Sequence, residues 1–191
     1  MAGAARYTAI LDANVLYPAF LRDVLLSLAH ADLYNAKWTA TIEDEWTRSL
    51  LVNYPGTEQA IARTADAMRR SIPDCMVTGY EPLIGCMNLS DPDDRHVLAA
   101  AVVGHADVIV TLNRKDFPPI ALAPFDIELQ TPDEFIVNQI TLGKIRALTA
   151  IKQMRERWDN PAYTPEALIE LFDKRGLGMS AASLADAVHL L

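Results

Sequence analysis

Residues 91–117, DPDDRHVLAAAVVGHADVIVTLNRKDF, decide the fold. Pro92 suits the first position of a helix, where its missing N–H costs nothing, so Asp91 becomes the N-cap. Asp94 falls in the first turn, where the helix dipole favours a carboxylate. Val97, Leu98, Ala101 and Val102 form an apolar stripe, the alanines let the helix sit close to a sheet, and Gly104 ends it. Asp107 to Leu112 is a β-branched, nearly all-apolar run, the pattern of a strand covered on both faces. Helix, tight turn and buried strand are half of a βαβ unit.

Working outward, one other stretch is equally strand-like: Tyr7 to Asp12, YTAILD, which also ends in a carboxylate and is followed by Asn14. In open parallel sheets ligands bind beyond the carboxyl ends of the strands. Two such ends, one carrying Asp12 and one leading to Asn113 and Asp116, would bring acids from distant sequence into one cleft. That predicts an α/β fold.

Composition bounds the class. The chain has 191 residues, 51% hydrophobic and 22% charged, which suits one domain with an appended helical piece. No apolar run approaches the roughly 18 residues of a membrane span, and the N-terminus leads into a strand without a signal-peptide plan. Cys75 and Cys86 match no metal or redox spacing, so reduced thiols in a cytoplasmic protein are expected. The net charge of −8 argues against attachment to nucleic acid by bulk charge, which needs many cations on phosphates. It is compatible with acids gathered round a metal ion, which would offset part of that charge.

Along the chain, residues 20–31 read as a helix with Phe20, Val24, Leu25 and Leu28 inward, and Trp38-Thr39 as part of a short second strand. Residues 41–53 form a helix capped by Thr39 or Thr41; its Glu43, Asp44 and Glu45 point in three directions at about 100° per residue, so at most two face the cleft. A turn at Pro55-Gly56 precedes a helix over 57–71, and Cys75 to Val77 is expected as a third short strand. Thr131-Pro132-Asp133-Glu134 is a capping box opening a helix to about Ile140. Three helical segments come after it, 141–157, 165–175 and 180–191, the first rich in Lys and Arg. The expected division is a body over residues 1–140 and a helical extension over 141–191.

The chemistry lies in the acids. Asp12, one of the Glu43/Asp44/Glu45 group, Asp94, and Asn113 or Asp116 are candidates for one cluster. Grouped carboxylates repel unless a proton or a divalent cation separates them. Oxygen-only ligands suit Mg2+ or Mn2+, and such an ion can activate water against a phosphodiester and steady charge on the leaving oxygen. No Ser, Cys or His is arranged as a nucleophile. Plainer readings stand beside these: Asp91 as a cap, Asp93 as solvated, Asp107 as a turn former, and His96 as a surface or core residue rather than a contact to substrate phosphate.

Together the residues resemble a PIN domain, the nuclease fold of VapC-type toxins. The resemblance covers about residues 7–136 and rests on ILDANVLYPAFLRDVLLSLA, on Thr39 to Leu50, on DPDDRHVLAAAVVGHADVIVT and on TLNRKDFP. It implies a three-layer α/β/α fold with a central parallel sheet and an acidic Mg2+ or Mn2+ site, in which Asp12, Glu45, Asp94 and Asp116 hold the metal and act in catalysis. Asn14 is then the nearby polar helper. Many members have an Asp where this chain has Asn113, so the fourth acid would arrive at Asp116. The C-terminal helices resemble the extension of some longer VapC-like toxins. The activity implied by the resemblance is that of a metal-dependent endoribonuclease cutting RNA such as tRNA or rRNA, usually as a homodimer, and silenced by a small antitoxin. The competing readings are a weakened PIN-like domain that binds RNA or protein without cutting, and a phosphotransferase with Asp12 as nucleophile. For the latter, Asn14 stands where a proton-donating Asp is wanted.

Overall fold

Four short parallel strands carry the molecule: β1 (Thr8–Leu11), β2 (Asn35–Lys37), β3 (Val108–Val110) and β4 (Glu128–Gln130), in the order β2-β1-β3-β4. The structure is a computed structural model that describes residues 7–191. In β1, Ala9, Ile10 and Leu11 are wholly buried, as are all three residues of β3, because strands at the centre of a parallel sheet are covered on both faces. Ile10 aligns with Lys37 on one side and Ile109 on the other, and Val110 aligns with Gln130. The chain leaves β1 for one neighbour first and reaches the other later. The switch point between β1 and β3 therefore opens a crevice at their carboxyl ends.

Helices cover both faces of the sheet. A one-turn helix α1 (Ala13–Leu16) comes directly after β1, and α2 (Ala19–His30) carries the chain across to β2. Then come α3 (Ala40–Asn53), α4 (Glu58–Ser71) and α5 (Arg95–Val103), the last with Val97 to Ala101 buried against β1 and β3. Thr39 caps α3 by accepting the Ile42 N–H at 3.1 Å. A short α6 (Pro119–Leu122) precedes β4.

The secondary structure departs from the expectations in several places, and the last expected helix, 180–191, runs only over Gly178–Ala185 before a 3-10 turn at Val188–Leu190. The second strand is Asn35–Lys37 rather than Trp38-Thr39, and Trp38 and Met76 make only an isolated bridge, so no full strand forms at 75–77. The edge strand β4 has no counterpart among the expected elements: Glu-Leu-Gln is three residues long and partly exposed, too short to show a period. The helix expected from Pro92 opens instead with a 3-10 turn, Pro92–Asp94, before α5.

Beyond β4 comes α7 (Pro132–Leu142), which runs across the expected division at 140 and whose capping box joins Thr131 and Glu134 as expected. The chain continues through α8 (Lys144–Glu156), α9 (Pro165–Lys174) and α10 (Gly178–Ala185). Gly143 separates α7 from α8 where a Cβ would lie 2.6 Å from the Leu33 side chain. Phe20 of α2 meets Phe172 of α9 edge-on at 5.0 Å, and Asp23 takes Trp158 Nε1 at 2.8 Å and Arg157 at 3.0 Å. Arg157, Arg155 and Arg146 of the basic stretch thus bond within the fold. Asp133 of α7 accepts from Met179 N–H, Ser180 N–H and Ser180 Oγ at 2.9, 2.8 and 2.6 Å, so α10 is capped by a side chain of another helix. Among the described residues no helix is long and apolar enough to cross a membrane.

Candidate active site

The end of β1 hands the chain to α1 through Asp12, 5% exposed. Its Oδ1 caps α1 by accepting the Ala13 N–H at 2.7 Å. Its Oδ2 accepts from Asn14 Nδ2 at 2.6 Å and from Thr111 Oγ1 at 2.7 Å. Thr111, wholly buried at the end of β3, also accepts from Asn14 Nδ2 at 2.9 Å and from the Asn113 N–H at 3.0 Å. Asn14 Oδ1 in turn holds the Leu112 N–H at 2.9 Å. One hydroxyl and one amide thereby lock the two central strand ends together. At the far end of α1, Arg22 donates to the carbonyls of Leu16 and Tyr17 and lies 5.0 Å over the Trp46 ring, so this single turn is held at both ends.

The remaining acids arrive on tight turns. A 3-10 turn has three residues per repeat, so side chains at i and i+3 eclipse. The turn at Pro92–Asp94 thus sets Asp91 beside Asp94, and Asp91 also accepts the Asp93 N–H at 2.9 Å. A second 3-10 turn, Arg114–Asp116, does the same for Asn113 and Asp116, whose side chains are hydrogen-bonded. Asp91, Asp94 and Asp116 each bring one carboxylate oxygen within 4.8 Å of the others.

The electrostatics reflect this crowding. Partial burial, then the charges of Asp12, Asp116 and Asp91, push the Asp94 carboxyl from its ordinary 3.8 to about 7. Burial also raises Asp12, opposed by the bonds from Thr111 and Ala13, and the Glu45 charge adds to the rise. Asp94 thus feels both Asp12 and Asp116, and Asp12 feels Glu45. These oxygens form a set short of positive charge, the donor chemistry a hard divalent cation fits.

The three acids of α3 part company. Glu43 pairs with Arg69 of α4 and takes Trp38 Nε1 at 3.3 Å, a buried structural tie. Asp44 is exposed. Glu45 meets His96 Nε2 at 2.9 Å and its charge reaches Asp12. The structure therefore brings Asp12, Asn14, Glu45, Asp94, Asn113 and Asp116 into one neighbourhood, together with Asp91, which by sequence is a cap. Two residues of the site carry little signal in the sequence. Thr111 reads as one more β-branched strand residue, and only its place directly before the polar Leu112-Asn113 turn hints otherwise. His96, 8% exposed, lies two positions after Asp94, and its partner Glu45 is 51 residues away in sequence.

A four-stranded parallel sheet with carboxylates converging at its switch point defines an acid-centred α/β domain of the PIN type. The pattern of the family described as PIN domain matches residues 8–115, and the chain belongs to that family. The pattern described as VapC50 C-terminal domain matches residues 132–186. The chain is similar to the Mycobacterium tuberculosis (strain ATCC 25618 / H37Rv) protein named "Putative ribonuclease VapC50", 42% identical over 92 residues, which cover 48% of this chain and 54% of that protein. The match thus spans about half the length of that relative. No solved structure matches.

Proposed function

We propose that the protein is a divalent-metal-dependent endoribonuclease acting as the toxin of a type II, VapBC-like pair. The observation that carries this is the crowding at the switch point. Asp91, Asp94 and Asp116 bring carboxylate oxygens within 4.8 Å of one another, and burial, then the charges of Asp12, Asp116 and Asp91, raises Asp94 to about 7, a cost that protonation or a hard cation relieves. Asp12, Glu45, Asp94 and Asp116 would hold Mg2+ or Mn2+, with Asp91 at the rim. When bound, the ion supplies Lewis-acid stabilisation of the phosphodiester and activation of water.

The chain's own residues do the rest. Thr111 and Asn14 fix the orientation of the Asp12 carboxylate, and His96 fixes Glu45, so two of the ligands are aimed before any ion or substrate arrives. Asn113, standing where many relatives of this fold have an acid, donates its amide to Asp116 and so turns that carboxylate into the cluster. That contact disfavours the reading as a weakened domain that binds without cutting. The nuclease body over residues up to 140 and the extension over 141–191 would act together, since α7 packs on both β4 and α10. The partners that fit are a tRNA or rRNA substrate, a small antitoxin protein and a second copy of the chain, in the cytoplasm.

The test is cleavage of RNA by the parent and by Asp12→Asn in Mn2+ and in EDTA. Cleavage that needs Mn2+ and disappears with Asp12→Asn is expected. Equal cutting by the variant, or cutting that persists in EDTA, sinks the assignment.

A further inference from the structure

Between the carboxyl edge of the sheet and the C-terminal helices lies a cavity of about 420 Å3. Its lining is mostly apolar: Phe20 and Leu21 of α2, Leu112 beyond β3, Pro132 of α7, and Leu177 and Met179 at the start of α10. Leu112 and Met179 keep 57% and 50% of their surface exposed, so the wall of the cavity is apolar and open to solvent at these two residues. The cavity neighbours the acid centre at Leu112, a wall residue whose N–H is held by Asn14 and whose chain neighbours are Thr111 and Asn113.

Its charge is equally telling. Asp133 lies in the wall, but its carboxylate already serves Met179 and Ser180. Arg175 also lines the cavity, and among the described residues its guanidinium has no ion pair or side-chain hydrogen bond. The free charge offered here is positive, on a chain of net charge −8.

We propose that this cavity is a nucleotide subsite. It takes one unpaired base of the RNA beside the bond to be cut, with Arg175 on a flanking phosphate. The proposal rests on the ribonuclease reading above. An acid cluster gives an RNA strand little to hold, so the strand needs an apolar rest for a base and a cation for its backbone nearby. Single-stranded RNA is held in that way, by stacking of splayed bases and by contact with cations. The volume lies toward the low end of the roughly 300–1,000 Å3 of ligand cavities, enough for a nucleotide. Bases inside a duplex are already stacked and cannot enter. Arg175, Leu177 and Met179 all come from the C-terminal extension, so the extension contributes one wall of the substrate site and selects unpaired sequence.

The test uses the full-length chain with a labelled oligouridylate of roughly ten nucleotides and an RNA duplex of the same length. Binding is read by fluorescence anisotropy in EDTA, and cleavage is read in Mn2+. The single strand is expected to bind roughly tenfold tighter than the duplex. Met179→Glu and Arg175→Glu should each raise Kd and KM by roughly tenfold with kcat changed far less, and Met179→Leu should behave as the parent. Both side chains are exposed, so melting temperatures should not move; if Met179→Glu melts lower, Arg175→Glu decides. If the parent cuts RNA while both Glu variants bind and cut as it does, the subsite is wrong and the nuclease reading survives. Equal affinity for duplex and single strand also overturns the subsite. A parent that neither binds nor cuts RNA removes both. Loss of a co-purifying small protein from the Glu variants, with RNA binding intact, gives the cavity to a protein partner and overturns the proposal.

Discussion

Removing one charge from the acid cluster should stabilise the metal-free protein, and Asp94→Asn is the change that shows it. Unfolded, the Asp94 carboxyl titrates near 3.8; folded, it titrates near 7 because of burial and the charges of Asp12, Asp116 and Asp91. Between those values the folded chain holds a proton that the unfolded chain has lost, so folding grows less favourable as pH rises through the window. The contribution is complete below pH 4 and gone above about pH 7. A shift of roughly three units corresponds to an upper bound of about 4 kcal/mol at 1.36 kcal/mol per unit. Asp94 is only partly buried, so solvent screening reduces this to about 1–2 kcal/mol.

For a chain of this length each kcal/mol moves the melting temperature by about 2–4 °C. Asp94→Asn should therefore melt about 2–8 °C above the parent at pH 8 in EDTA. The gap should narrow as pH falls and close near pH 4. Thermal melts of both proteins across that range measure it directly. In Mn2+ the order should reverse, because the ion stabilises the parent by occupying the full acid set. Melting curves that stay parallel across pH would refute the claim that crowded acids strain this site.

Three further outcomes are expected from the contacts. Thr111→Val leaves Asp12, Asn14 and the Asn113 N–H short of a buried partner and should cost about 1–3 kcal/mol in chemical denaturation; Thr111→Ser should recover most of it. His96→Leu removes the partner of Glu45, and Mn2+ affinity by calorimetry should fall roughly 10–100-fold. Unchanged affinity would mean that Glu45 needs no support. Asp133→Ala strips α10 of its cap and should cost about 2 kcal/mol, seen as faster proteolysis near residue 178. Proteolysis at the parent's rate would mean that apolar packing alone holds α10.

Much of the architecture was legible in the chain. The apolar runs of β1 and β3 announced a buried parallel sheet because such strands need no polar face, and the Thr131 box announced α7 because capping chemistry is local. Short edge elements were not legible. β4 is three partly exposed residues whose pairing with β3 exists only once the sheet is assembled, and the pair Trp38 and Met76 lies too far apart in sequence to leave a periodic trace. Replacement of the first turn of the helix at Pro92 by a 3-10 turn also escaped the pattern, since Asp91 and Pro92 are compatible with either.

By itself the sequence determined which residues were candidates: carboxylates after two strand-like runs, three acids on one helix start, and an Asn where an acid was wanted. Only the tertiary structure decided among them. Glu43 went to Arg69 of α4 and Glu45 to His96 of α5 because successive positions on α3 point in different directions and meet different helices. Thr111 became the hub of the site because the switch point sets the end of β3 against Asp12. Which charges meet depends on how separate elements pack, and local spacing along a chain cannot encode that.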